Sequence, residues 1–97
     1  MIRVILIALT MVSAPAWASV DKMMDCVSYS DDAKAIMAAR QRNVSIDKVL
    51  PLVEGDKIRT NTVVMAYNAP VENTKESAQA VIDGFGDLVM MACLSAD

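Results

Sequence analysis

Two cysteines, Cys26 and Cys93, carry the most chemistry in this chain, and there is no histidine. Without histidine the Ser–His and Cys–His nucleophile systems are absent. Two cysteines alone also fall short of a structural zinc set. The other candidates are paired carboxylates, Asp31-Asp32 and Asp83 with Asp87. Asp83 and Asp87 are one helical turn apart, a spacing that could hold a divalent cation weakly. A solvated acidic face is the plainer reading, because ionised side chains stay in water. No Asp-rich loop with calcium spacing occurs. Gly84-Phe85-Gly86 is not a phosphate loop, since it lies inside an apolar helical stripe with no strand before it. The residue types therefore predict no catalytic residue, no cofactor and no metal. An enzyme built on an acidic pair is the one catalytic alternative.

The cysteines take their meaning from the first residues. Arg3 precedes an apolar run from Val4 to Val12, broken only by Thr10, and Ala16-Trp17-Ala18 places small residues before Ser19. This is the pattern of a secretory signal cut before Ser19. The alternative is a retained anchor, but the run is well short of the roughly 20 residues a spanning helix needs. Residues 1–18 are thus expected to leave, and residues 19–97 to form one domain. Removing eighteen of 97 residues leaves 79, with eight basic residues against twelve acidic ones and a net charge of −4. An acidic chain without a basic run suits neither nucleic acid nor an anionic membrane surface. The product is expected in the periplasm or secreted, with no stable membrane anchor after cleavage. Two cysteines in a small exported domain most simply pair within the chain. An intermolecular pair and two unpaired thiols are the alternatives. A bond closing almost the whole domain contributes about 4 kcal/mol in the loop-entropy account.

Four helical stretches must position these residues. The last, Asn73–Asp97, has Ala78, Val81, Ile82, Phe85, Leu88, Val89, Ala92 and Cys93 at spacings of three and four, one wide apolar stripe. Asn73 as cap with Glu76 three residues on resembles a capping box. The first, Val20–Arg42, puts Met23, Cys26, Ser30, Ala33, Met37 and Gln41 on one face, with Tyr29 and Ile36 on its shoulder. It is read as one helix, with a restart capped at Ser28 or Ser30 as the alternative. Asn43 is its stop. Ser45 caps a short helix that Pro51 kinks or ends, with Val49, Leu50, Leu52 and Val53 inward. Asp56 caps a segment from Lys57 to Asn68. Its β-branched residues suit a strand, but nothing offers that strand a partner. It reads as a helix, with Ile58, Thr62, Met65 and Ala66 inward.

The fold class is all-α: two long antiparallel amphipathic helices joined by two shorter ones and stapled by Cys26–Cys93. Bonded cysteines need Cα atoms about 4.4–6.8 Å apart, and only an antiparallel pair then covers both stripes. Gly86, one heptad before Cys93, marks close helix approach. The core is expected to hold Phe85, Ile82, Val89, Leu88, Met37, Ala33 and Met65. Arg40 lies at the edge of the apolar face, either paired with Glu76 or Gln79 or serving as a recognition arginine at the rim of a groove. Met90, Met91 and Leu94 interrupt the charged side of the last helix. They read as ordinary surface residues or as a protein-binding patch, with Tyr67 and Arg40 on an adjacent edge.

Ile36-Met37-Ala38-Ala39-Arg40-Gln41, then Ala66-Tyr67 with Pro70, then Phe85 and Cys93, resemble a group of small exported, helical, one-disulfide bacterial and phage-borne proteins of unknown function. The resemblance spans most of the domain and implies no activity and no site residues. In format alone the chain is also similar to periplasmic acid-stress chaperones and to immunity proteins of secretion-system effectors. The functional expectation is a non-enzymatic, inhibitor- or immunity-like module that binds another periplasmic or secreted protein. An acid-stress chaperone is the first alternative, and a secreted protein with another role the second.

Overall fold

The computed structural model describes residues 2–96, with side chains from Val20 to Ala96. The side chains of the expected signal, Arg3 and Ala16 to Ala18 among them, lie outside that range. The order of elements is α1 (Ile2–Gln41), α2 (Ile46–Val49), a 3₁₀ turn (Leu50–Val53), α3 (Lys57–Tyr67) and α4 (Lys75–Ser95). No strand occurs among the described residues. α1 runs through Ser28 and Ser30 without a restart.

Local chemistry sets most of the ends. Asn43 takes φ 62° and stops α1, as its tolerance of the left-handed region allows. Ser45 Oγ accepts from the Asp47 amide, and Asp56 Oδ1 accepts from the Arg59 amide. Pro51 lacks a donor, so α2 gives way to the 3₁₀ turn that contains it. Thr74, not Asn73, caps α4: its hydroxyl accepts from the Ser77 amide at 3.0 Å. A threonine at that position leaves Glu76 in the first turn, where its charge suits the helix dipole.

α1 is the platform on which α3 and α4 both pack. α4 is antiparallel to it. Lys22 Nζ reaches the Ala96 carbonyl, Cys26 is bonded to Cys93, and Ser30 Oγ donates to the Gly86 carbonyl at 2.8 Å. The cysteine Cα atoms are 5.5 Å apart. A Cβ on Gly86 would stand 2.5 Å from Lys34 Cγ, so only glycine lets the Lys34 stem lie across α4 here. The core is Ala33, Ile36 and Met37 of α1, Val49, Val53, Val63 and Ala66 of the middle elements, and Phe85 of α4. Ile82 and Val89 pack against it partly buried.

Several expected core residues are outside it. Leu88 is 54% exposed and Met65 51%, with Ile58 at 53%, Leu52 at 83% and Met23 at 55%. For α3 the reason is its roll. Arg59, Val63, Ala66 and Tyr67 form its inner stripe, held at one end by Arg59 bonded to Asp32 and at the other by Tyr67 Oη donating to the Val44 carbonyl at 2.7 Å. That turn brings Val63 inside and leaves Ile58 and Met65 on the flank. For α4 the stripe is wider than one helix can cover. Its Ile82–Phe85–Val89 side meets α1, and Leu88 faces α3 without reaching it.

Candidate functional site

The uncovered flanks of α3 and α4 face one another across α1. Between them lies an open apolar groove of about 320 Å³, lined by Tyr29, Ile58, Asn61, Thr62, Met65, Leu88, Val89, Ala92, Cys93 and Ala96. Ile58 and Met65 form one wall, two turns long. Leu88 and Ala92 form the other, and Tyr29 lies beneath. No lining residue is charged, the hydroxyls are those of Tyr29 and Thr62, and the Cys93 sulfur is in the disulfide. Such a trough is apolar and open to solvent.

The wall formed by α3 is held by a cluster that sequence reasoning did not find. Arg59 Nε donates to Asp32 Oδ2 at 2.5 Å and Nη1 to Asp56 Oδ2 at 2.7 Å, while Nη2 donates to Ser28 Oγ at 3.0 Å. Its guanidinium carbon lies 4.5 Å from the centre of the Tyr29 ring. Asp56 is held below the ordinary carboxylate range, first by the Arg59 amide and then by the guanidinium. Arg59 is pushed further up by the Asp56 and Asp32 carboxylates. Asp56 was legible as a cap. The pairing across 27 residues to Asp32 had no local signature.

The five residues expected to bind a partner fall into two places. Arg40 Nε donates to the Ala69 carbonyl at 2.9 Å and its guanidinium lies 5.5 Å from the Tyr67 ring centre. It pairs with neither Glu76 nor Gln79. Gln41 beside it donates to the Pro70 carbonyl at 3.0 Å and accepts from the Glu72 amide at 2.8 Å. Arg40-Gln41 therefore fastens the loop that follows Ala66-Tyr67, which brings the two short motifs of the resemblance into contact. Tyr67 and Arg40 hold this corner together. Met90, Met91 and Leu94 lie beside Cys93, next to the stretch of α1 around Cys26, roughly 20 Å away by helix rise. Met91 and Leu94 are exposed there, and Val20, Met24 and Val27 are exposed on α1. None of them lines the groove. Asp83 accepts a bond from Gln79 Nε2 at 3.0 Å, and no group of three potential metal ligands occurs among the described residues.

By length and composition α4 is also apolar enough to cross a membrane. Asp83 and Asp87 near its middle, and its bond to α1, suit a helix packed on protein. The disulfide itself indicates an oxidising, non-cytoplasmic environment. The chain matches no protein-family profile, no curated protein and no solved structure.

Proposed function

We propose that the protein is a small exported, non-enzymatic module that binds another periplasmic or secreted protein, in the manner of an inhibitor or immunity factor. One observation carries this reading. Ile58, Met65 and Leu88 are placed for burial by helical periodicity, yet all three stand about half exposed around one uncharged groove. Apolar surface left open between two helices on a helical platform is what a helix-in-groove partner occupies. The occupant that fits is an amphipathic helix with apolar residues at i, i+3 or i+4, and i+7, laid between α3 and α4. The signal pattern of residues 1–18 supports delivery by export.

The test compares the oxidised protein with Met65→Glu/Leu88→Glu and Met90→Glu/Leu94→Glu in pull-downs from periplasmic extract. One stoichiometric partner, lost only in the groove variant, supports the reading. Loss only in Met90→Glu/Leu94→Glu moves the site to the disulfide end, and no partner with any of the three ends the proposal. A second reading, an acid-stress chaperone, is favoured by the carboxylate of Asp32, which holds α3 to α1 through Arg59. Protection of aggregating clients near pH 2–3, below the ordinary carboxylate range, supports it in place of the first.

A further inference from the structure

The groove between α3 and α4 differs from one end to the other. α3 runs along α1 in the same direction, as the Arg59–Asp32 and Tyr67–Val44 contacts require. α4 runs in the opposite direction, with Cys93 on Cys26. The start of α3 therefore lies beside the end of α4. Asn61 and Tyr29 belong to that end of the groove, and Met65 and Leu88 to the other. The polar groups at the first end are not all used. The Thr62 hydroxyl donates to the Ile58 carbonyl at 2.9 Å. Among the described residues, neither the Tyr29 phenol nor the Asn61 amide bonds to another protein group, and no buried side-chain nitrogen or oxygen lacks a partner. Both groups are thus open to solvent on the groove lining. Tyr29 is half-buried, and its ring is held by the Arg59 guanidinium, 4.5 Å from the ring centre. Its hydroxyl is a fixed polar point on an apolar floor.

Size and charge narrow what fits. A cavity of about 150 Å³ holds a benzene ring. The groove, at about 320 Å³, takes about twice that, roughly twelve carbon atoms. It stands at the lower bound of small-molecule sites, which begin at about 300 Å³. One short alkyl chain fits; a sterol or a two-chain lipid does not. An ionised head group finds no counter-charge among the lining residues, and the acidic balance of residues 19–97 disfavours an anion further. We propose that the groove is a binding site for a free, uncharged, single-chain lipid of about ten to twelve carbons, with its hydrogen-bonding head on Tyr29 and Asn61 and its chain between Met65 and Leu88. Such a lipid covers the residues that a helix partner would cover. It needs no protein partner, so the two readings of the groove can fail separately.

The test is calorimetric titration of the oxidised, exported protein with 1-monodecanoylglycerol, kept below its micelle concentration. The wild type binds a single molecule per chain, saturably. Met65→Glu/Leu88→Glu charges the apolar end at two half-exposed positions and abolishes binding, while far-UV circular dichroism shows its helices kept. Should that double variant lose helix, Met65→Glu alone is read in the same way. Tyr29→Phe keeps the ring beside Arg59 and removes only the hydroxyl. It weakens binding by about 2–10-fold, the worth of one neutral hydrogen bond, and Asn61→Ala does the same. Met90→Glu/Leu94→Glu, outside the groove lining, binds as the wild type does. The hexanoyl ester, with a shorter chain, binds at least about tenfold more weakly, because each buried methylene is worth up to about fourfold. Decanoate, with the same chain and an ionised head, also binds more weakly. The site is overturned if the wild type gives no saturable heat, or if the groove variant binds as tightly as the wild type. Decanoate binding as tightly as the ester overturns the uncharged head, and full affinity in both Tyr29→Phe and Asn61→Ala overturns its placement. A protein partner captured through the groove, with no lipid heat, refutes the lipid and leaves the protein-binding reading in place.

Discussion

Leu88 and Phe85 are neighbours along α4 and belong to opposite environments, so their truncation separates an open groove from a closed one. Phe85 is 8% exposed and packed in the core; Leu88 is 54% exposed on the groove wall. Removing a buried phenylalanine ring costs about 3–5 kcal/mol, transfer and cavity together. Full burial of a leucine side chain is worth about 1.5–3 kcal/mol. Half of that is already forgone at Leu88, and water fills any space left behind, so Leu88→Ala should cost about 1 kcal/mol or less. Helix propensity slightly favours alanine and makes the loss smaller still. Urea denaturation of the oxidised variants, followed by circular dichroism, measures both as shifts in midpoint at a common slope. A loss above about 2 kcal/mol for Leu88→Ala, in the range of core leucines, would mean that α3 closes over α4 in solution. A loss below about 1 kcal/mol for Phe85→Ala, no more than a typical point mutation, would mean that α4 is rolled the other way.

Other outcomes follow from the same contacts. Cys93→Ser should cost about 2–5 kcal/mol, and non-reducing peptide mapping of the wild type should recover Cys26 and Cys93 in one linked pair. Arg40→Ala removes a charged hydrogen bond and the contact with Tyr67, and should cost about 1.5–3 kcal/mol by denaturation. Gly84→Ala, with nothing within 4 Å of the added methyl, should stabilise by about 0.5–1 kcal/mol. Gly86→Ala should destabilise by about 1–2 kcal/mol, because Lys34 must be driven off α4. The intact mass of the exported protein should correspond to a chain that starts at Ser19; a mass that includes Met1 would rule cleavage out.

The parts of the fold legible in the sequence are those set by short-range chemistry. Asn43, Ser45, Pro51 and Asp56 each act on their own backbone neighbourhood, and each ends or begins the expected element. The disulfide was legible because parity and compartment leave Cys26 one partner. Gly86 was legible as a close approach because glycine inside a helix is costly without a reason. The roll of α3 was not legible. Its ends are fixed by Arg59 on Asp32 and by Tyr67 on Val44, contacts across 27 and 23 residues that no periodicity encodes. Periodicity assigns burial to every apolar position of a stripe, so it places Leu88 and Met65 in the core and turns Ile58 inward, whereas all three border the groove. Arg40 was correctly set at the edge of the apolar face. The carbonyl it bonds to belongs to a loop whose path the sequence did not define.

The open groove and the staple belong to one energetic arrangement. A domain of this size has a core that yields only a few kcal/mol of net stability. Leaving Ile58, Met65 and Leu88 each about half exposed forgoes roughly 1 kcal/mol apiece, about 3 kcal/mol in all. That is close to what the core can supply alone, so a reduced chain with this groove would be marginal. The Cys26–Cys93 bond closes 67 residues of sequence and contributes about 4 kcal/mol, which offsets the loss. It acts where the offset is needed, since Cys93 itself lies on the groove lining and fixes α4 to α1 there. The bond therefore does more than stabilise the fold in general. It fixes α4 to α1 beside the groove, and so supports the apolar surface left open between α3 and α4.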